Sequence, residues 1–332
     1  MLLQWHVTER CNLRCSHCYQ DPRPASELPL DALLGILAQF KDLLDRRGRA
    51  PGHVTVTGGE PFIRGDFPDL LEALAREKPR LGFAILTNGT RIDAAMARRL
   101  RQWGPQFVQI SVDGTRELHD QIRGAGSFAS AVEAVRHLTR ERVPVFLSFT
   151  AHRQNFHDFP EVARLAGRLG ASRVWADRLI PAGAGASLET LSPEETREFI
   201  ALMGRTAQQQ HRRWFHRTQV ALHRALQFHA GAQPYRCSAG NTLITIQPNG
   251  DLYPCRRMPI RIGNVLETPL ADLYRNNPLL QQLRDPAQLP HGCEACPHAA
   301  QCGGGLRCLA YAVTGDPFRP DPGCWLANHA SP

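Results

Sequence analysis

Between Leu2 and about residue 210 the chain alternates short β-rich runs with helical ones, six times over. This alternation limits the fold more than any other feature. The β-rich runs are LLQWHV, HVTVTGGEP, LGFAILTNG, FVQISVDG, VPVFLSFTA and SRVWADRLIP. The intervening LPLDALLGILAQFKDLL puts Leu33, Leu34, Leu37 and Phe40 on one side of a helix. FPDLLEALAREK, DAAMARRLRQW, SFASAVEAVRHLTRE and FHDFPEVARLAGRLG read the same way, with Ser127 as the cap of the third. Strands separated by such helices are joined by crossovers and lie parallel. Six units fall short of the eight of a closed barrel. The expectation is an α/β fold, a partial (β/α)6 barrel over residues 1–185.

The composition then shifts. AGAGASLETLSPEE is a loop leading into a helix. The Gln-, His- and Arg-rich run from Glu194 to Ala230 reads as mostly helical and makes residues 186–236 a bridge. It carries His211, His216, His223 and His229, which suit a helix face better than a metal site. Over residues 237–332, TLITIQPNGDLYPC predicts a hairpin turning at Asn249-Gly250, and PLADLYRNNPLLQQL a pair of short helices. From Pro290 onward cysteine, glycine and proline dominate. So little apolar material builds no core, and bound metal is what would hold such a tail together.

Ten cysteines sharpen that expectation. Three stand in CNLRCSHCYQ, at 11, 15 and 18, and the next is Cys237. No run of 18 or more apolar residues is present, and MLLQWHV turns polar at Thr8, Glu9 and Arg10, too soon for a signal peptide. A cytoplasmic setting follows, in which clustered thiols serve metal binding or catalysis rather than disulfides. Zinc wants four protein ligands. Three thiolates, with His17 among them, can instead hold three irons of a [4Fe–4S] cluster and leave the fourth iron open. For the later group a zinc knuckle of Cys293, Cys296, Cys302 and either Cys308 or His298 stays open as an alternative. The net charge of +8 comes from arginines scattered over helices, as in AMARRLRQW and EVARLAGRLG. No dense basic block with interleaved aromatics marks a nucleic-acid footprint.

The CxxxCxxC spacing after a first strand does not stand alone. GGEP, Gly58 to Pro61, closes the second strand, Thr87-Asn88-Gly89 the third, and Ser111 to Gly114 the fourth, followed by IRGAGSF. Together they resemble the radical S-adenosylmethionine superfamily over residues 2–185. The resemblance implies that Cys11, Cys15 and Cys18 hold a [4Fe–4S] cluster. It implies cofactor contacts from Gly58, Gly59, Glu60 and Pro61 to the amino group of S-adenosylmethionine, with Thr87, Asn88, Ser111, Asp113 and Arg123 around the rest. Gly58 and Gly59 also let a backbone approach a ligand closely. The implied reaction is one-electron cleavage of S-adenosylmethionine to methionine and a 5′-deoxyadenosyl radical. An external reductant such as flavodoxin or ferredoxin would supply the electron.

The later cysteines resemble the SPASM extension of that superfamily. Cys237, twelve residues, Gly250, four residues and Cys255 lead to Cys293, Cys296, Cys302, Cys308 and Cys324. The match departs at Leu306, where a cysteine is expected, and Cys308 reads as the displaced ligand. By resemblance Cys293, Cys296, Cys302 and Cys324 hold one auxiliary [4Fe–4S] cluster. Cys237, Cys255 and Cys308 hold another, with its fourth position open or filled by a non-cysteine or substrate ligand. That makes three clusters in all.

SPASM enzymes act on varied substrates. Several crosslink or oxidise ribosomal peptides, while others mature sulfatases, assemble peptide-derived redox cofactors or modify haem precursors. In sulfatase maturases a catalytic carboxylate follows the cysteine corresponding to Cys255, and here Arg256 and Arg257 follow. CNLRCSHCY with RLIPAGAG resembles haem-precursor enzymes in short stretches. A plain electron carrier would not need GGEP, and RNA modification would draw only on the net charge. The expectation is oxidative peptide modification, with Asp177, Arg178 and Arg256 on the substrate side. Because Cys11 stands so early, leader recognition would fall to a separate protein or to direct binding. Neither a membrane nor nucleic acid is expected as a partner.

Overall fold

The computed structural model describes residues 1–20, 27–211, 218–233 and 235–327. Its strands are β1 (Leu2–His6), β2 (Gly52–Thr57), β3 (Leu81–Thr87), β4 (Val108–Ser111), β5 (Val145–Ala151), β6 (Arg173–Arg178) and β7 (Gln219–Ala221). Between them lie α1 (Leu30–Arg46), α2 (Phe67–Arg76), α3 (Ala94–Trp103), α4 (Arg116–Arg123), α5 (Ser127–Arg140), α6 (Phe159–Leu169) and α7 (Pro193–His211). Strands β1 to β7 are parallel and adjacent in chain order, an alternating β/α sheet.

Strand alternation divides that sheet chemically. Val54, Val56, Phe83, Ile85, Val108, Ile110, Val145 and Leu147 are buried in one core with Leu33, Phe40, Leu70 and Leu100 of the helices. The intervening positions, Thr57, Gln109, Ser111, Ser148, Thr150 and Asp177, line a cavity on the other face. Strand period 2 thus sends apolar side chains to the helices and polar ones to a site.

The Cys-rich region continues the same sheet. The strands β8 (Leu243–Ile246), β9 (Asp251–Tyr253) and β10 (Gly263–Asn264) add beyond β1, with β8 parallel to β1 from Leu2↔Leu243 to Trp5↔Ile246. The expected hairpin forms between β8 and β9, and Gly250 at its turn has φ +89, which favours glycine. The expected helix pair is α8 (Leu270–Asn276) and α9 (Pro278–Arg284). Short helices α10 (Ala299–Cys302) and α11 (Arg307–Thr314) follow.

Three local expectations change. Residues 219–221, read inside a helical run, form the seventh parallel strand, because VA pairs with Val174 and Trp175 of β6. α4 was not expected; its polar sequence RELHDQIR buries only His119 and Ile122. Ser127 is the first residue of α5, not its cap. The Asp120 carboxylate does that work, accepting from the backbone of Gly126 (3.0 Å) and Phe128 (2.7 Å) and from the Ser127 hydroxyl (3.2 Å). Among the described residues no helix is long and apolar enough to cross a membrane.

Candidate functional site

The first cysteine loop leaves β1 and is gripped at once by the end of β2. Gly59 N–H donates to Thr8 O and Glu60 N–H to Arg10 O, both at 2.8 Å. A Cβ on Gly58 would stand 2.2 Å from Thr8 O, and one on Gly59 2.2 Å from Arg10 O. The close approach these glycines permit is therefore that of the Thr8–Arg10 backbone, which fixes where the cysteines begin. Farther on, Ser16 N–H donates to Ile122 O (2.9 Å) and Gly185 N–H to Cys18 O (3.0 Å). A Cβ on Gly183 would fall 2.6 Å from Gln20 O. Three segments distant in sequence thus clamp one loop.

Cys11, Cys15 and Cys18 are free thiols, and all three line one cavity of about 340 Å³, within the range of small-molecule sites. Thr57, Gly58, Gly59, Thr87, Asn88, Ser111 and Arg123 border it, as do Asp177, Arg178, Arg256 and Arg257. Burial pushes all three thiols above their ordinary range, and each also feels another of the set. The donor set is soft, all sulfur, and one short of a closed tetrahedral site, which fits a cluster with an open iron.

Glu60, Pro61 and Asp113 stand behind the cavity wall rather than on it. The Glu60 carboxylate is 0% exposed. It accepts from the Thr87 hydroxyl (2.8 and 2.9 Å), the Asn88 N–H (2.8 Å) and the Phe62 N–H (3.2 Å). Burial pushes its carboxyl up to about 7 against those hydrogen bonds. A carboxyl that ionises less readily folded than unfolded favours folding fully below its ordinary value of 4.5, and that contribution is lost as pH rises through about 7. In cofactor-free protein the unfolding free energy from denaturant titration should therefore fall from pH 4.5 to 7 by a component of about 3 kcal/mol. Glu60→Gln should flatten that stretch, and an unchanged pH profile would refute the assignment.

Asp113, also 0% exposed, receives His17 Nε2 at 2.7 Å, Arg123 Nε at 2.5 Å and the Thr150 N–H at 2.8 Å. Burial opposes its charge, but Arg123 and His17 outweigh it and hold the carboxyl far below the usual range. Arg123 in turn stands 3.9 Å from Cys15 Sγ. Asp113 thereby anchors one residue of the cysteine loop and the arginine beside it. Ser111 Oγ lies 3.4 Å from Ser148 Oγ on the cavity floor.

The seven later thiols fall into two groups. Cys293, Cys296, Cys302 and Cys324 line one small pocket, and burial with the other three pushes Cys293 up to about 12. Cys308 is raised by burial and by Cys255 and Cys237. Leu306, which occupies the expected cysteine position, is 2% exposed in the core and precedes α11. Cys308 sits in the first turn of that helix, two residues on. Among the described residues no three Cys, His, Asp or Glu side chains converge as ligands of a single metal ion.

Two buried ion pairs join the β6 end to the Cys-rich region. Asp177 meets Arg257 at 2.7 Å and Arg224 at 3.7 Å. Arg178 makes a two-pronged contact with Asp321, at 2.7 and 2.5 Å. Both residues line the cavity, yet both are already committed to partners. Arg256 lies over the Tyr19 ring at 6.0 Å. Sequence reasoning did not single out Asp321, Gly183 or Gly185, and it named Arg257 only as a departure from the sulfatase maturases. RLIPAGAG was a signal for the glycines; Asp321 in RPDPGC carried none. Of the four histidines read on one helix, His211 ends α7, His223 and His229 lie beyond it, and His216 is outside the described residues.

Residues 5–166 match the family model of the radical SAM superfamily, and residues 237–297 that of the SPASM iron–sulfur cluster-binding domain. The mycofactocin maturase MftC of Mycobacterium ulcerans is 35% identical over 97% of this chain and 87% of its own length. The pre-heme d1 synthase of Dinoroseobacter shibae is 31% identical over 97% and 85%. Streptococcus suis SuiB, solved with its precursor peptide SuiA, superposes with a TM-score of 0.78 at 18% identity, covering 98% of this chain and 75% of SuiB. At that identity the likeness is one of fold.

Proposed function

The chain belongs to the radical S-adenosylmethionine superfamily and carries its SPASM extension, and from that premise we propose that it oxidatively modifies a ribosomally made peptide. It is a radical SAM enzyme that binds iron–sulfur cofactor. The observation that carries the reading is the shared cavity. Three free thiols of one loop face the ends of β2, β3 and β4 there, together with arginines of the Cys-rich region.

We divide the chain into a partial (β/α)6 barrel (1–185), a bridge (186–236) and an auxiliary-cluster region (237–332). Cys11, Cys15 and Cys18 hold the cluster that binds S-adenosylmethionine. Cys293, Cys296, Cys302 and Cys324 hold a second, and Cys237, Cys255 and Cys308 a third. When bound, the reduced first cluster supplies the electron that converts S-adenosylmethionine to methionine and a 5′-deoxyadenosyl radical. The protein's part is placement and exclusion of water. Gly58 and Gly59 present backbone at the cavity wall. Glu60 fixes the Thr87–Asn88 turn from behind, Pro61 follows it at the cofactor end of the motif, and Ser111 offers a hydroxyl to a ribose. Asp113 sets His17 and Arg123. Asp177 and Arg178 hold the Cys-rich region over the substrate side, and Arg256 offers a cation to an acidic group. A flavodoxin- or ferredoxin-type reductant and a separate leader-recognition protein complete the system.

MftC, the maturase at 35% identity, and the SuiB–SuiA fold support a peptide. A tetrapyrrole is the second reading. Pre-heme d1 synthase supports it, as do Arg14 and Arg256, which border the cavity without a carboxylate partner among the described residues. The test is anaerobic incubation with reductant and the peptides of small neighbouring genes, read by mass spectrometry. Loss of two hydrogens from one peptide, with 5′-deoxyadenosine release, is the expected result. A mass change on a porphyrinoid with every peptide untouched would replace the peptide reading with the second.

A further inference from the structure

The formal charge of +8 is not spread evenly over the surface. Helices α1, α2 and α6 pair exposed arginines with acids of their own, Asp42 with Arg46, Glu72 with Arg76 and Glu161 with Arg164. The face made by α3 and α5 does not. Arg91, just before α3, and Arg98, Arg99 and Arg101 are all exposed, and among the described residues none has a carboxylate partner. Arg99 lies over the Trp103 ring at 4.7 Å, and Arg101 Nη1 donates to Arg142 O at 3.3 Å. That contact joins α3 to the end of α5, where Arg140 and Arg142 are exposed and likewise without a carboxylate. The acids nearby are engaged otherwise: Asp93 caps α3 by accepting the Met96 N–H at 2.7 Å, and Glu133 is held by Arg136. Only the half-buried Glu141 remains on these two helices and their ends to set against six arginines.

This cationic face begins at the first cysteine loop. Thr90, next to Arg91, accepts Asn12 Nδ2 at its hydroxyl (2.8 Å), and Asn88 Nδ2 donates to Asn12 Oδ1 (3.1 Å). Asn12 follows Cys11 directly, is exposed, and lies outside the lining of the cavity that the thiols share. Arg14, exposed too, folds its guanidinium onto Cys11 O (2.8 Å) and Leu13 O (3.1 Å), which adds another cation without a carboxylate at the edge of the loop. The surface therefore runs from α5 along α3, a helix about 15 Å long, to the solvent side of Cys11.

We propose that the α3–α5 face is the docking surface of the one-electron carrier that reduces the first cluster, and that this carrier is acidic around its own redox group. The inference rests on the reading that Cys11, Cys15 and Cys18 hold a cluster. In the step the carrier loses one electron and the cluster gains it; no bond or proton changes place. An approach over Asn12 brings a carrier to the thiols from solvent and leaves the cavity free for cofactor and substrate. Exposed arginines suit a partner that must arrive and leave at every turnover. They steer an anionic surface into register and raise its on-rate, while exposed pairs add little to the lifetime of the complex.

The test compares the reconstituted full-length enzyme with two double variants. Arg91→Glu with Arg98→Glu reverses charge on the proposed face; Arg197→Glu with Arg205→Glu makes the same change on α7, which packs on α6 and β7 instead. Binding of an acidic flavodoxin and of an acidic ferredoxin is read by titration calorimetry at low and high salt. Formation of 5′-deoxyadenosine is read with each reduced carrier and with dithionite, which needs no docking. The α3 variant should bind its carrier about tenfold more weakly at low salt, lose most of the salt dependence, and slow carrier-driven formation while dithionite-driven formation stays at the parent's rate. The α7 variant should match the parent. A parent that binds neither carrier, unchanged binding in the α3 variant, or an equal loss in the α7 variant would overturn the docking surface. So would a loss with dithionite as well, or weakened RNA binding with carrier binding unmoved, which would give the face to nucleic acid. A parent that forms no 5′-deoxyadenosine even with dithionite would instead remove the cluster reading beneath.

Discussion

Replacing Cys11, Cys15 and Cys18 together by alanine is expected to abolish 5′-deoxyadenosine formation and to leave about eight of about twelve irons in place, at about four per cluster. The two parts of that result come from different places in the fold. The three thiols line the large cavity on a single loop, and no other cysteine borders it. The other seven are grouped around Cys293 and Cys308, on elements that follow residue 236. Nothing in the backbone clamp on the first loop uses a sulfur atom: Gly59, Glu60, Ser16 and Gly185 hold it through main-chain hydrogen bonds. The triple variant should therefore fold with its sheet intact. Retained 5′-deoxyadenosine production would end the assignment of this loop, and loss of all iron would show that the later groups assemble only through it.

Much of this was legible in the sequence because the signals are local. Strand and helix periodicities repeat six times, and the cysteine spacings are short. The unread parts are those that depend on contacts between distant residues. QVA in β7 has little strand signal of its own; it is a strand because β6 offers it an edge. β8 reads as half of a hairpin, yet its other edge pairs with β1 across the whole chain. Gly58 and Gly59 border the cavity, and their lack of a side chain has a second use. They admit the backbone of Thr8 to Arg10, which no motif states. The Glu60 carboxylate accepts from Thr87 and Asn88, contacts that the motif does not announce. Asp321 lies 143 residues from the arginine it holds, in a segment whose composition speaks only of turns.

That residue gives the second large effect. Asp321 is 1% exposed and takes both prongs of the Arg178 guanidinium. It also accepts the N–H groups of Leu306 (2.8 Å) and Gly323 (2.9 Å), and its own N–H donates to Gly304 O (3.0 Å). One carboxylate thus ties the end of β6 to the turn between α10 and α11 and to the segment that carries Cys324. The fit is close, since a Cβ on Gly323 would stand 2.2 Å from Arg178 Nη1. Asp321→Ala leaves a buried cation and two buried N–H groups without partners. Breaking a buried pair on one side costs about 3–5 kcal/mol, well above the mean for single substitutions. Asp321→Asn keeps an acceptor but not the charge, and should fall between. Arg178→Met combined with Asp321→Leu removes both charges and should recover part of the loss, as apolar replacements of buried pairs do. The chemical consequence is separable from stability. Cys302 and Cys324 flank Asp321, so Asp321→Ala should shed about four irons while 5′-deoxyadenosine formation at the first loop persists. Denaturant titration and iron analysis on the same preparations check both parts. A variant with the parent's midpoint and full iron would mean that Arg178 and Asp321 merely touch, and that the Cys-rich loop is held by its clusters alone.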